Sequence, residues 1–156
     1  MTPRYAADTK VSTDSSRSEI ERTLRRYGAS SFAYASEADR AMVGFRISDR
    51  MVRFILRMPD PADTAFTQHS RGRRAPDAAE KLWEQACRQR WRALALVIKA
   101  KLEAVAAGIT TIEDEFLAHT LLPDGQTFGE WAKPQVALAY EQGQMPTSLL
   151  LTGPGK

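Results

Sequence analysis

The stretch that decides the fold is AMVGFRISDRMVRFILRM, residues 41–58, in which apolar and polar side chains alternate on both sides of a polar turn. A period of two is typical of a β-strand with one buried face, so the two runs predict a β-hairpin. With Asp49 and Arg50 as the turn, both strands bury the same side, because three apolar pairs face each other: Ile47 with Val52, Phe45 with Phe54 and Val43 with Leu56.

The opposite face of this hairpin carries cations. The same register places Arg46 opposite Arg53 and Met42 opposite Arg57. Like charges directly opposite each other are unfavourable unless solvent or a bound partner neutralises them. We therefore expect Arg46, Arg53 and Arg57 to contribute to an anion-binding surface.

An earlier run, residues 31–35, predicts an additional strand that would join the hairpin through a turn at residues 37–39. Phe32 and Tyr34 share one side of this run, but the sequence leaves open which face of the sheet they join. On the outer face they would form a platform on which unpaired bases can stack.

A helix precedes the strands. Ser16 and Glu19 have the spacing of a capping box, and Gly28 supplies a left-handed stop, so we predict a helix over residues 17–27. Residues 1–15 show no apolar period and are expected to form a loose N-terminal arm.

Residues 59–76 read as a long basic loop, with three prolines, Gly72 and the cluster Arg71, Arg73 and Arg74. A long helix follows, because Asp77 and Glu80 form a second capping box and apolar residues recur at helical spacing as far as Gly108. About 30 residues of helix span roughly 45 Å, more than the diameter of a small domain.

Two sets of side chains on this helix are candidates for binding. Lys81, Arg88 and Arg92 form a cationic line. Trp83 and Trp91 lie two turns apart, as anchors of a protein interface or a homodimer would, or they cover the apolar face of the hairpin.

The remaining elements are short helices. Thr111 with Asp114 and Thr127 with Glu130 predict two capped helices, the second of which ends at Gly143. Residues 144–156 are expected to form a loose tail. The sequence therefore predicts a single α+β domain at residues 16–143: an N-terminal helix, a two- or three-stranded antiparallel meander, a long helix packed on the sheet and short C-terminal helices.

The charge is unevenly distributed along the chain. The 156 residues carry a formal charge of +3, but all 16 arginines lie at or before Arg92, which makes the first part +6 and the remainder −3. Arginine binds phosphate groups with two parallel hydrogen bonds and stacks on bases, so this composition favours a recognition surface. The alternative is an ordinary solvated surface.

Few residues point to catalysis. His69, His119 and the single Cys87 have no second ligand at metal-binding spacing, and the acidic cluster at residues 113–115 lies in the first turn of a capped helix, where negative charge is favoured anyway. We expect a non-enzymatic protein with no metal and no cofactor. One cysteine and no long apolar run favour a reducing compartment and no membrane segment.

Several stretches resemble a group of uncharacterised small proteins of tailed bacteriophages and prophages. These stretches are SRSEIER at 16–22, RYGA at 26–29, RQRWRAL at 88–94, KAKLE at 99–103, FLAH at 116–119, LPDG at 122–125 and GEW at 129–131. The resemblance implies a phage origin and action in the cytoplasm of an infected bacterium. It carries no functional residues, since the group has no agreed catalytic motif.

Two functions follow as expectations. The first is an accessory protein of phage DNA metabolism that binds single-stranded or distorted DNA through the arginine-rich surface. The second is an inhibitor or adaptor that binds a host protein or defence complex through the long helix.

Overall fold

The computed structural model describes residues 11–145 and has the predicted α+β architecture. In chain order the elements are α1 (Thr13–Arg26), β1 (Ser30–Ser36), β2 (Arg40–Ile47), β3 (Arg50–Arg57), α2 (Thr64–Thr67), β4 (Gln68–His69), β5 (Gly72–Arg73), α3 (Pro76–Ala106), α4 (Ile112–Phe116), a 3-10 turn (Leu117–His119) and α5 (Phe128–Gln142). No helix within the described residues is long and apolar enough to span a membrane.

The central sheet is three-stranded and antiparallel, in the order β1-β2-β3. Its inner face packs against α1 and α3, and the core is closed by Phe116, whose ring meets Phe45 and Phe54 edge-on at centroid distances of 5.9 and 6.1 Å. Burying each large apolar side chain contributes roughly 1.5–3 kcal/mol. The buried apolar residues are Ile20, Leu24, Ala29, Ala41, Val43, Phe45, Ile47, Val52, Phe54, Trp91, Leu94, Ala95, Ile98, Leu102 and Phe116.

The predicted hairpin exists, but its predicted register is wrong by two residues. Ser48 and Asp49 form the turn, with φ of 47° and 58°, so that Ile47 pairs with Arg50. Two left-handed turn residues match the twist of the flanking strands. A shift of two residues keeps every side chain on its face, so the hydrophobic pattern alone does not distinguish the two registers. The observed pairs include Phe45 with Val52, Val43 with Phe54 and Ala41 with Leu56.

The correction changes the neighbours of every outer cation. Arg46 lies opposite Met51, Arg53 opposite Gly44 and Met42 opposite Ile55. The like-charged pair is therefore not Arg46 with Arg53 but Arg40 with Arg57, at the far end of the two strands.

The additional strand also exists, as β1. Tyr34 pairs with Val43 and thus lies on the inner face of the sheet, and Phe32 packs against the core on the same side. The register shifts between Ser30 and Ala33, where Ser31 has a φ of 57° and forms an irregularity in the edge strand.

Helix α1 begins earlier than predicted. Ser12 is the N-cap residue and its side chain accepts a hydrogen bond from the N–H of Ser15, while Ser16 lies inside the helix and is fully buried. The predicted capping box of Ser16 and Glu19 is therefore wrong, because Ser12 satisfies the free N–H one turn earlier. Residues 1–10 of the predicted arm and residues 146–156 of the predicted tail lie outside the described residues.

The segment expected to be a loop, residues 59–76, contains α2 and the small hairpin of β4 and β5. Pro76 is the first residue of α3, and its N-cap Ala75 makes no side-chain capping bond, so the predicted Asp77 capping box is wrong. Proline needs no backbone N–H at this position and its φ suits a helix start.

The caps of the short helices agree with prediction. Thr111 accepts a hydrogen bond from the N–H of Asp114, and Thr127 with Glu130 forms a complete capping box. Gly143 ends α5 in the left-handed conformation. Between the two helices, Thr120 forms a bridge with Val52, and Leu121 donates its N–H to the carbonyl of Met51 at 2.8 Å, so this segment covers the β3 edge of the sheet at Met51 and Val52.

Candidate nucleic-acid interface

A groove of about 570 Å³ lies on the outer face of the sheet, on the side away from α1 and α3. The strands provide the floor, while the 3-10 turn and the first turns of α5 provide one wall. Its lining residues are Ala35, Glu37, Arg40, Ala41, Met42, Arg53, Ile55, Arg57, Ala118, His119, Thr127, Gly129, Glu130 and Lys133. Four basic and two acidic side chains give it a net positive charge.

The position of α5 depends on a close backbone approach at Gly129. A Cβ atom placed there would lie 2.8 Å from the carbonyl oxygen of Ala118, and Gly129 is buried. Phe128 also donates its N–H to the carbonyl of Thr120 at 2.8 Å. The absence of a side chain at Gly129 therefore lets the helix start lie against the 3-10 turn and form the groove wall.

Arg40 and Arg57 form the basic end of the groove. They are direct cross-strand neighbours, and both are exposed. Arg40 donates from Nε to Glu37 Oε2 at 2.7 Å, a hydrogen bond that raises the pKa of the guanidinium, with Asp39 adding to the effect. Within residues 11–145, Arg57 has no carboxylate at ion-pair distance. Arg90 of α3 donates from Nη1 to the Arg57 carbonyl at 3.0 Å but does not line the groove.

Arg53 and Glu130 connect the sheet to α5. The Nη2 of Arg53 lies 3.1 Å from Glu130 Oε2, and the same oxygen accepts the N–H of Thr127 at 2.7 Å. The N–H of Thr127 and then the charge of Arg53 hold the pKa of Glu130 below its usual value. The Nε of Arg53 is buried and has no hydrogen-bond partner among the described residues, which leaves one donor of this arginine unused.

His119 closes the groove beside Lys133. Its ring stacks on Phe54 with a centroid distance of 4.0 Å, so it is held in place by the core. Burial, followed by the charges of Lys101 and Lys133, lowers the pKa of His119 below its usual value. The histidine is therefore neutral near pH 7, and the cations of the groove are the arginines and Lys133.

The floor of the groove is small and apolar. Ala35, Met42 and Ile55 line it, and the side chain of Ile55 is 44% exposed on the outer face. An apolar floor with a basic rim suits a ligand that combines a flat uncharged part with a phosphate group.

The nine arginines and lysines predicted to bind nucleic acid do not form one surface. Arg53 and Arg57 line the groove, and Arg46 is exposed on the same face. The other six lie on α3 or on the segment before it, and α3 packs on the inner face of the sheet: Arg71, Arg73, Arg74, Lys81, Arg88 and Arg92.

Among the described residues, the side chains of three of those six have hydrogen-bond partners. Arg92 donates to Glu19 of α1, and Arg88 donates to Gln85 one turn earlier on α3. Arg74 donates to the carbonyls of Phe66 and Gln68 at 2.9 and 3.1 Å, which fixes the small β4–β5 hairpin.

The four predicted aromatic contacts also serve the fold. Phe32 and Tyr34 lie beneath the guanidinium groups of Arg25 and Arg17, at 4.7 and 4.9 Å, on the face opposite the groove. Trp91 is 5% exposed within the core. Trp83 is partly buried and donates its indole N–H to the carbonyl of Pro59 at 2.7 Å, which leaves α3 without an exposed tryptophan anchor.

Arg40 and Lys133 are the groove cations that the sequence analysis did not single out. The period-two pattern assigns Arg40 to the outer face, but only the observed register brings it opposite Arg57. Lys133 reaches the groove through tertiary packing of α5, for which the local sequence carries no signal.

Other reactive residues add little to this surface. Burial raises the pKa of the Cys87 thiol, which disfavours the nucleophilic thiolate. Within residues 11–145 no group of three or more His, Cys, Asp or Glu side chains is placed to hold a metal ion.

No protein-family model, curated protein or solved structure matches the chain.

Proposed function

We propose that the protein is a non-enzymatic accessory protein of phage DNA metabolism that binds single-stranded DNA in the groove on the outer face of its sheet. The observation that carries this proposal is the convergence of Arg40, Arg53, Arg57 and Lys133 around an apolar floor. The phage origin and the bacterial cytoplasm come from the sequence resemblance and belong to the same proposal.

Phosphate binding would neutralise the like-charged pair at the end of the strands. Arg40 and Arg57 face each other directly, and Arg57 lacks an acidic partner within the described residues. A phosphate between two guanidinium groups accepts charge-assisted hydrogen bonds and removes their repulsion.

The size of the groove favours unpaired nucleotides over a duplex. Its volume of about 570 Å³ is in the range of pockets that hold small ligands, roughly 300–1,000 Å³. The unpaired bases of single-stranded DNA can lie on Met42 and Ile55 while the phosphate backbone of the DNA follows the arginines. The base contacts are aliphatic, so we expect little sequence preference.

The test is a fluorescence titration of a labelled single-stranded oligonucleotide at several salt concentrations. Each bound phosphate releases counterions, so the logarithm of the binding constant should fall linearly with the logarithm of salt concentration, with a slope of about −0.7 per phosphate contact. A duplex of the same length should bind more weakly. Absence of binding at low salt, affinity that does not change with salt, or tighter binding to the duplex would contradict the proposal.

A second candidate is protein binding through α5 rather than through the long helix. Val136, Leu138 and Tyr140 on α5 are 52%, 41% and 86% exposed. Aromatic and aliphatic side chains of this kind are typical anchors of a protein interface. This observation favours the expectation of a host protein partner, and it moves the contact from Trp83 and Trp91 to α5.

Affinity capture from a bacterial lysate, with and without nuclease, separates the two candidates. Partners that survive nuclease and are lost with Tyr140→Asp favour protein binding. Partners that are lost after nuclease treatment favour nucleic-acid binding in the groove.

A further inference from the structure

The sheet has one covered edge and one edge that no described residue covers. The segment of Thr120 and Leu121 bonds to β3, as described above. At the opposite edge, β1 pairs with β2 on one side only. Within residues 11–145 nothing forms a backbone hydrogen bond with the other side of β1.

The hydrogen-bond pattern identifies which groups face this open edge. Glu37 donates its N–H to the carbonyl of Arg40 at 2.8 Å, and bonded and non-bonded pairs alternate along an antiparallel ladder. The pairs of Ser36 with Ala41 and Tyr34 with Val43 are therefore the non-bonded ones. The N–H and C=O groups of Tyr34 and Ser36 consequently point away from β2.

The sequence of β1, SSFAYAS, contains no charged residue and no proline. Edge strands are commonly protected from pairing by lysine, proline, a bulge or a covering loop. In β1 only the irregularity at Ser31 provides such protection, and it leaves the regular part from Ala33 to Ser36 available.

We propose that two copies of this chain pair through β1, antiparallel and about a two-fold axis at Tyr34, to form a continuous six-stranded sheet. Tyr34 of each copy then exchanges two backbone hydrogen bonds with the Tyr34 of the other. Ala33 comes opposite the second copy's Ala35, and Ser36 opposite its Phe32. The strand suits a copy of itself, because its own side chains are uncharged and bring no like charges opposite each other.

The axis also brings the two grooves together. Ala35 lines the groove and lies one residue from the axis, so the grooves of the two copies adjoin across the β1 strands. A dimer therefore presents the arginines of both copies on one face. The pairing itself does not depend on nucleic-acid binding, and its test uses no nucleic acid.

The test is the mass of the full chain in solution as a function of concentration, measured by sedimentation equilibrium. We expect the mass to rise twofold from the monomer value of 17.4 kDa. Ser36→Pro removes an N–H that faces the open edge, where proline is tolerated, and should keep the protein monomeric. Ser36→Ala retains this N–H and should dimerise like the wild type.

Amide hydrogen exchange provides a readout that needs no variant. Exchange at Tyr34 and Ser36 should slow as the concentration of the wild-type protein rises. A mass that stays at the monomer value, or a Ser36→Pro variant that dimerises like the wild type, overturns the proposal. Amides of Tyr34 and Ser36 that are protected in a monomer also overturn it, because the chain itself then covers the edge.

Discussion

Gly129 sets the distance between α5 and the 3-10 turn, and its substitution tests that role at the scale of one residue. Gly129→Ala introduces a Cβ 2.8 Å from the Ala118 carbonyl oxygen, so α5 must move away. We expect the free energy of unfolding to fall by about 1–3 kcal/mol, as for other overpacked sites. Urea denaturation measures this change.

Gly44→Ala is the matched control, since Gly44 is also buried. Its Cβ would meet its nearest atom at 3.7 Å, an ordinary contact. Alanine in a strand is favoured over glycine by about 0.5–1 kcal/mol, so this variant should be as stable as the wild type or more so. Equal losses in the two variants would show that Gly129 has no special packing role.

His119 makes stability depend on pH. Its pKa is lowered by burial and by Lys101 and Lys133, so the folded state binds the proton less readily than the unfolded chain does. The free energy of unfolding should therefore fall as the pH drops below about 6.5, and the loss should end below the pKa of the folded state.

His119→Phe removes this titration and keeps a ring against Phe54. Thermal unfolding between pH 7 and pH 5 should show a smaller loss of stability in the variant than in the wild type. His69→Gln changes the other histidine, which is exposed, and should retain the wild-type loss. Equal pH profiles for wild type and His119→Phe would contradict the assignment.

Capping of α1 provides a test at the scale of an element. Ser12→Ala removes the acceptor for the Ser15 N–H and should lower the free energy of unfolding by about 1 kcal/mol. Ser16→Ala should be neutral or slightly stabilising, because the buried Ser16 hydroxyl has no hydrogen-bond partner among the described residues. Chemical denaturation of both variants measures the difference. The opposite ranking would favour the helix start predicted from the sequence.

The strands and helices are predictable from the sequence because their hydrophobic periodicities are strong. The pairing register of the strands and the bounds of the helices are not predictable in the same way. The hairpin is confirmed, but the alternation of Val43, Phe45 and Ile47 fits two registers equally well. The choice depends on Ser48 and Asp49 adopting left-handed backbone, for which glycine and asparagine are clearer signals than serine. The sequence pattern places Pro76 in the loop, whereas it is the first residue of α3.

At the scale of the whole molecule, the linear charge distribution does not predict the surface. The arginine-rich first part of the chain is divided by the sheet, with Arg53 and Arg57 on one side and Arg88 and Arg92 on the other. Lys133 comes from the acidic part and joins the groove. The sequence predicts which residues are outward on a strand, but tertiary packing decides which of them meet.

We propose that single-stranded DNA binds in the groove and is not held merely by the overall positive charge of the protein. A charge reversal in each of two exposed arginines separates these possibilities: Arg57→Glu lies in the groove, and Arg71→Glu lies on the turn between β4 and β5. Both variants change the charge equally. Arg57→Glu should keep or raise the melting temperature, because it replaces a like-charged pair with Arg40 by an opposite-charged one.

The decisive measurement is the affinity of these two variants for the same single-stranded oligonucleotide at one salt concentration. We expect Arg57→Glu to weaken binding about tenfold or more, equivalent to about 1.4 kcal/mol, and Arg71→Glu to bind within about twofold of the wild type. Equal losses of affinity in the two variants, or a larger loss in Arg71→Glu, would contradict the proposal.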